Sequence, residues 1–375
     1  MTLAALFKPS SPIVISDVLL SHVGQPTVDV TPTGVFIRPH TGAKVYRPVG
    51  FSQKTLLLDD DRAVFTGAGK LTTLRSLAVD LRDRIKKGLR PADLEGWLAS
   101  RSAICGKSTS AIVAWLDDHT YKVGKVGAGI RSLQDGDGEQ VIACGSGSDW
   151  LRRNLITEDR LLDIQGEFTK LELRRFRAVS QVAQHLAQER FLGMRDAFGA
   201  GFQVVYFDGA RFVPVPQITY LNFVIEHDAS GPVRMLFSGP LVIQRSDGQR
   251  LAFELWAPED EEFTAEGETM VLHTRNRRLE KVVPPLLHSR TELWKRSTLS
   301  VGNYVAAQTV HVRNGRLIGL GSFALIGDPA LTGVALGGEP NDRLRLAIAI
   351  DVFETWMTRM TPVCRDGKPT LRELI

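Results

Sequence analysis

Hydrophobic positions along the chain fall mostly into short runs closed by turn residues, the pattern of strands. Only a few stretches show the three-to-four-residue spacing of an amphipathic helix. Residues 2–7 and 12–20 are two apolar runs around Lys8, Pro9, Ser10 and Ser11, which predicts a hairpin. A run at 55–58 follows Lys54, and 63–66 leads through Gly67-Ala68-Gly69 into a helix expected over about 71–87. Helical spacing returns over 171–192, with His185 on the helix face, and a further helix is expected to begin near Ser148 and Asp149. Beyond Phe212 the pattern is that of an antiparallel β region, with runs at 218–226, 233–237, 241–245, 250–256, 269–274, 304–313 and 316–325. The last two flank Asn314-Gly315, a pair suited to a type I′ hairpin turn. Asn341 then reads as the cap of a helix from 342 to about 360, with Leu344, Ala347, Ile348, Val352 and Trp356 on one face.

Composition narrows the possibilities. With 375 residues, two domains are expected. The change of pattern after Phe212 and the order of the motifs described below put them at 1–213 and 214–375; the alternative is that the second segment completes the core sheet and the chain is a single unit. A hydrophobic share of 43% with 23% charged residues excludes a disordered chain. No apolar run reaches the roughly 18 residues that span a bilayer, so a soluble protein without a membrane partner is expected. Lys8 interrupts the opening apolar stretch and no small-residue cleavage site follows, so no signal peptide is expected. Cys105, Cys144 and Cys364 are too scattered for a disulfide framework or a metal site, which fits a cytoplasmic setting. The 8 histidines lack metal-ligand spacing, and neither metal nor cofactor is expected. Lys and Arg total 46 against 42 acids. The basic clusters alternate with those acids and carry no interleaved aromatics, so nucleic acid is not an expected partner. Gly106-Lys107-Ser108-Thr109 is not a phosphate-binding loop, because the first glycine of that motif would fall at Arg101 and no strand precedes it.

The start of the chain offers chemistry. Loss of Met1 exposes Thr2 with both a hydroxyl and a free α-amine, and an α-amine titrates near pH 8, where it can act as general base for its own hydroxyl. Asp17 lies inside an apolar run and needs a buried partner; Lys54, also bordering an apolar run, can supply it. A lysine beside the nucleophile would lower the hydroxyl's pKa.

Through these residues the sequence resembles the proteasome β-subunit family, including the bacterial HslV-type peptidases, over about residues 2–213. The resemblance rests on Thr2, Ile13-Val14-Ile15-Ser16-Asp17, Gln53-Lys54-Thr55-Leu56-Leu57-Leu58, Phe65-Thr66-Gly67-Ala68-Gly69, Gly145-Ser146-Gly147-Ser148 and Arg195-Asp196-Ala197-Phe198-Gly199-Ala200-Gly201, in that order. It implies an α+β fold, a four-layer αββα sandwich of the N-terminal nucleophile (Ntn) hydrolase type, here with an added β-rich C-terminal region ending in a helix. It also implies a threonine peptidase in which Thr2 attacks, Lys54 and Asp17 support the hydroxyl, Gly67 N–H forms the oxyanion hole, and Ser146 and Asp196 hold the amine. Peptide or unfolded-protein substrates, a homo-oligomer such as a ring, and an ATP-driven unfoldase partner follow from the resemblance alone.

Each residue also has a structural reading. Asp17 and Lys54 fit a buried ion pair, Gly67 a strand-to-helix turn, Ser146 a helix cap and Asp196 a turn cap. The sequence departs from the family in a proline-rich insertion over about 22–50, expected at the rim of the cleft, in Val18-Leu19-Leu20, and in Gly199, where the family usually has serine. A catalytically silent scaffold that mediates protein–protein contacts is therefore the alternative function, with the C-terminal region controlling assembly, access or docking.

Overall fold

A computed structural model describes residues 2–7, 12–23, 30–34, 46–134, 140–155, 170–192, 198–227, 234–246, 250–259, 263–287, 304–314, 316–326, 334–339, 343–354, 363–365 and 368–370. The expected first hairpin is formed by β1 (Ala4–Phe7) and β2 (Ile13–Asp17), paired antiparallel from Phe7↔Ile13 to Ala4↔Ser16. Every residue of both strands is buried, so the hairpin reads as two continuous apolar runs. The second run breaks at Val18, whose N–H leaves the ladder for the Gly201 carbonyl at 3.0 Å. Beyond the break, β3 (Leu19–Val23) and β4 (Tyr46–Phe51) form a two-stranded sheet of their own at the root of the insertion. The insertion's described middle lies against the second half of the chain. There the Val30 carbonyl accepts a bond from Lys281 Nζ at 3.3 Å, and Gly34 packs against Leu255 and Pro240.

β5 (Thr55–Leu58) and β6 (Ala63–Ala68) are followed by α1 (Leu71–Lys86), α2 (Leu94–Ala99), α3 (Ser102–Cys105), β7 (Ser110–Asp117) and β8 (Thr120–Gly127). The strands make a four-stranded sheet in the order β5-β6-β7-β8. In α1 the buried residues Leu74, Leu77, Ala78 and Leu81 follow helical spacing, and with Leu94 and Leu98 of α2 they cover Phe65, Val113 and Trp115 of the sheet. The helix stops where Gly88, at φ 93°, follows the cap residue Lys87, a left-handed position that glycine takes without penalty.

Next come β9 (Ile130–Gln134), β10 (Gln140–Cys144), α4 (Ser148–Arg153), α5 (Lys170–Leu192), β11 (Phe202–Phe207) and β12 (Phe212–Pro214). A six-stranded sheet runs β12-β11-β2-β1-β10-β9. Alternation along its strands divides the two faces. Leu6, Val14, Ile142 and Val205 pack on Val64, Ile112 and Ala114 of the four-stranded sheet. Ile13, Ile15 and Val204 pack on Trp150 of α4 and on Val179, Val182 and Ala183 of α5.

The second half adds β13 (Gln217–Glu226), β14 (Arg234–Phe237), β15 (Leu241–Ser246), β16 (Leu251–Pro258), β17 (Thr264–Glu266), β18 (Thr269–Val283), β19 (Tyr304–Arg313), β20 (Arg316–Ile326), β21 (Val334–Glu339), β22 (Arg343–Ala349), β23 (Val363–Arg365) and β24 (Lys368–Thr370). Its ten-stranded sheet follows β20-β19-β13-β15-β16-β18-β22-β21, with β14 on β13 and β17 on β18. The β13–β19 pairing is parallel. The hairpin expected at Asn314 is present, with Arg313 opposite Arg316 and Asn314 at φ 49°. The division expected at 213 falls inside β12. Moreover, Ile218, Tyr220, Val242, Phe253 and Tyr304 share one core with Leu3, Ile15 and Val182.

One element differs from expectation. Residues 343–349, expected to be helical, form β22, and helical backbone is confined to 350–354 among the described residues there. Leu344, Leu346 and Ile348 alternate into a core with Leu221, Phe223 and Leu272. Ladders to β18 and β21 on both sides override the local helical spacing. Asn341 and Trp356 lie outside the described residues. The protein is mixed α+β, mostly sheet with few helices, and no helix among the described residues is long and apolar enough to cross a membrane.

Candidate active site

Four of the residues singled out from sequence meet at one corner of the six-stranded sheet. Lys54 sits just before β5, and its Nζ donates to Asp17 Oδ1 at 2.8 Å, Thr2 Oγ1 at 3.1 Å and the Leu19 carbonyl at 2.6 Å. An ammonium has three protons, so its donors are fully used. Asp17 ends β2; its Oδ1 also accepts Leu3 N–H at 2.9 Å, and its Oδ2 accepts Gly199 N–H at 3.0 Å. Thr2, Asp17 and Lys54 are only 3%, 0% and 1% exposed.

The Thr2 nitrogen is 3.3 Å from Ser146 Oγ, and the Thr2 carbonyl accepts Gly147 N–H at 3.1 Å. Ser146 is therefore not the cap of α4: Gly147 occupies the cap position, without a side-chain cap bond. Gly145, at φ 89°, is required here, since a Cβ would lie 2.0 Å from the Thr2 carbonyl oxygen. Gly67 lies in β6 opposite Ala111, where a Cβ would come within 2.5 Å of the Leu74 side chain and 2.6 Å of the Ser110 carbonyl. The structure thus gives Gly67 a packing role. Its neighbour Ala68 touches the corner, since a Cβ on Gly145 would be 2.9 Å from the Ala68 methyl. The pairing of β5 with β6 starts at Thr55↔Thr66, and β6 runs on past it through Gly67 and Ala68. Met1 and Asp196 lie outside the described residues.

Burial dominates the electrostatics. It holds the Lys54 ammonium below the usual lysine range, against the opposing pull of Asp17. Burial also pushes the neighbouring Cys144 thiol up to about 12, with the Asp17 charge adding to the effect and Lys54 opposing it. Cys144 therefore stays a protonated thiol and is no rival nucleophile.

Several residues of the site were not singled out. Gln203 of β11 accepts at Oε1 from the Lys54 and Thr55 backbone N–H groups, both at 3.0 Å, and donates from Nε2 to Gln53 Oε1 at 2.8 Å. Its one sequence signal is being the lone polar residue among Phe202, Val204, Val205 and Phe207. Ser16, Thr55 and Thr66 form a hydroxyl chain at 2.8 and 3.0 Å below it. The second half reaches the same wall: Gln53 N–H donates to the Pro284 carbonyl at 2.8 Å, and Gln53 Nε2 to the Val283 carbonyl at 3.0 Å. Arg75 Nε holds the Leu286 carbonyl at 2.7 Å, with Leu286 buried against α1.

Chemically, the corner holds a hydroxyl whose oxygen already accepts from a cation, with a nitrogen of the same residue on a serine hydroxyl. No protein-family model and no curated protein matches the chain, so what this corner does has to come from its geometry.

Proposed function

We propose that the protein is a threonine-type peptidase or amidohydrolase of the proteasome-like Ntn kind, active once Met1 is removed. The observation that carries this is the single buried ammonium of Lys54 bridging Thr2 Oγ1 and Asp17 Oδ1. The packing of the two sheets on each other, with α1 and α2 on one outer face and α4 and α5 on the other, supports a four-layer αββα core. Thr2 Oγ1 attacks a peptide carbonyl and gives its proton, through water, to the Thr2 amine, whose position is supported by Ser146. Lys54, held by Asp17, stabilises the developing alkoxide, and the Gly67 N–H serves the tetrahedral oxyanion. Collapse breaks the C–N bond, the leaving amine takes the proton from the Thr2 amine, and water then hydrolyses the acyl ester. Peptide or unfolded-protein substrates, a homo-oligomer and an ATP-driven unfoldase partner belong to this proposal through the resemblance.

A second reading, the catalytically silent scaffold, is favoured by the burial of Thr2. Intact-mass spectrometry separates the two. A chain lacking Met1 that gains one adduct from a peptide epoxyketone, lost in Thr2→Ala, supports the enzyme. Quantitative retention of Met1 rules the Thr2 mechanism out.

A further inference from the structure

Behind the candidate site, α5 carries a second buried acid–base pair. His185 Nε2 is 3.0 Å from Glu189 Oε1, one helical turn further on, and both residues are buried. The imidazole stacks on Phe198, with centroids 4.5 Å apart and planes at 22°, and meets Trp150 and Phe202 edge-on. Both Glu189 oxygens accept from the Ala200 N–H, at 3.1 and 3.2 Å. The preceding amide, Gly199 N–H, points to Asp17 Oδ2, and the Gly201 carbonyl accepts from Val18 N–H.

This turn is conformationally costly. Gly199, Ala200 and Gly201 have φ of 117°, 67° and 126°, three left-handed positions in succession, one of them with a Cβ. Such a turn persists only where its surroundings over-determine it. Here two buried carboxylates take consecutive N–H groups, Asp17 the first and Glu189 the second. Glycine at 199 is also explained, because a Cβ there would lie 1.6 Å from Glu189 Oε1 and 2.7 Å from His185 Nε2. The serine expected at this position by resemblance would collide with the pair.

We propose that Glu189 and His185 are positioning residues for the Thr2 relay: His185 orients Glu189, Glu189 sets the 199–201 turn, and the turn sets Asp17 and through it Lys54. The catalytic part of this inference rests on Thr2 being the nucleophile; the mechanical part does not. The test follows the Lys54 Cε resonance of ¹³C-lysine protein through pH, assigned with Lys54→Met, in wild type, Glu189→Gln and His185→Gln. Thr2 labelling by a peptide epoxyketone is timed in parallel. Glu189→Gln keeps the volume and one acceptor oxygen but removes the second of the two oxygens that hold Ala200 N–H. Asp17 is then held less tightly, so Lys54 gives up its proton about one pH unit lower. Thr2 labelling slows about tenfold or more, as small misplacements of reacting groups do. His185→Gln moves both readouts the same way by less, and it carries the comparison should Glu189→Gln fail to fold. A wild type that never labels, with Lys54 still shifted in the variants, removes the nucleophile reading and leaves the positioning relation standing. A Lys54 titration that stays unchanged in the folded variants, even with a lowered melting point, overturns the proposal.

Discussion

Two buried polar clusters, one in each half of the chain, give their basic groups different partners. In the Thr2 corner an acid and a base are in direct contact: Lys54 meets three acceptors, and Asp17 accepts from Lys54 and two backbone amides. In the ten-stranded sheet His227 Nε2 and His311 Nδ1 lie 2.9 Å apart with stacked rings, and Thr309 Oγ1 is 3.4 Å from His311 Nε2. Among the described residues no carboxylate pairs with either ring. Burial pushes His227 below the usual histidine range, with Arg313 adding to the effect, and takes His311 to about 4. Burial disfavours the cation in both clusters, but in the first a carboxylate in direct contact opposes it, whereas in the second the neighbouring groups add to it. Under the proposed mechanism the Thr2 hydroxyl lies beside the first, where the Lys54 ammonium is already placed for a developing alkoxide.

The sharpest way to break this contrast is Lys54→Met, which leaves the buried Asp17 side chain without its cationic partner. Urea denaturation should show a loss of about 3–5 kcal/mol. A loss below about 1 kcal/mol would mean that the pair is not the buried contact described. Gly145→Ala keeps every charge and attacks only the geometry, forcing a Cβ onto the Thr2 carbonyl at φ 89°. It should cost about 1–3 kcal/mol and slow epoxyketone labelling of Thr2. An unchanged midpoint and labelling rate would show that the Thr2 backbone is not tightly seated.

The histidine pair makes a prediction in pH. An unfolded histidine titrates near 6.5, whereas folded His311 stays neutral down to about 4. Between these values the unfolded chain binds more protons, so stability is highest above 6.5, falls as the pH drops towards 4, and levels off below. Thermal melts from pH 7.5 to 4 should show this decline, and His311→Gln should flatten it; an equal slope in both proteins would assign the decline to other groups. The smallest effect belongs to the surface. Arg84 and Asp80, 3.7 Å apart on the exposed side of α1, should contribute under about 0.5 kcal/mol, so Arg84→Ala should melt close to wild type. A larger loss would mean that exposure does not separate the two kinds of charge pair.

Asp17 and Lys54 were legible in the sequence because each interrupts or borders an apolar run, and a charge in such a place demands a partner. Gln203 gave the same signal more weakly, since an uncharged amide in a strand has many uses. His185 and Glu189 show only the four-residue spacing common to any helix, and nothing local distinguishes them from a solvated pair. What marks them is the 199–201 turn arriving from further along the chain. The error at 343–349 has a similar origin. Leu344, Ala347 and Ile348 fit a helix, while Leu344, Leu346 and Ile348 fit a strand, and the choice was made by β18 and β21 on either side.

By itself the sequence determined what is local: the run-and-turn rhythm of the strands, the helical face of α1, and the need of Asp17 and Lys54 for each other. Tertiary structure alone decided which backbone groups complete the site, that β12 carries the chain across the expected boundary into a shared core, and that Glu189 reaches Asp17 through a strained turn. The physical reason is reach. Periodicity and burial cost act over neighbouring residues, whereas a hydrogen bond between positions far apart in the chain exists only after packing has brought its two ends within 3 Å.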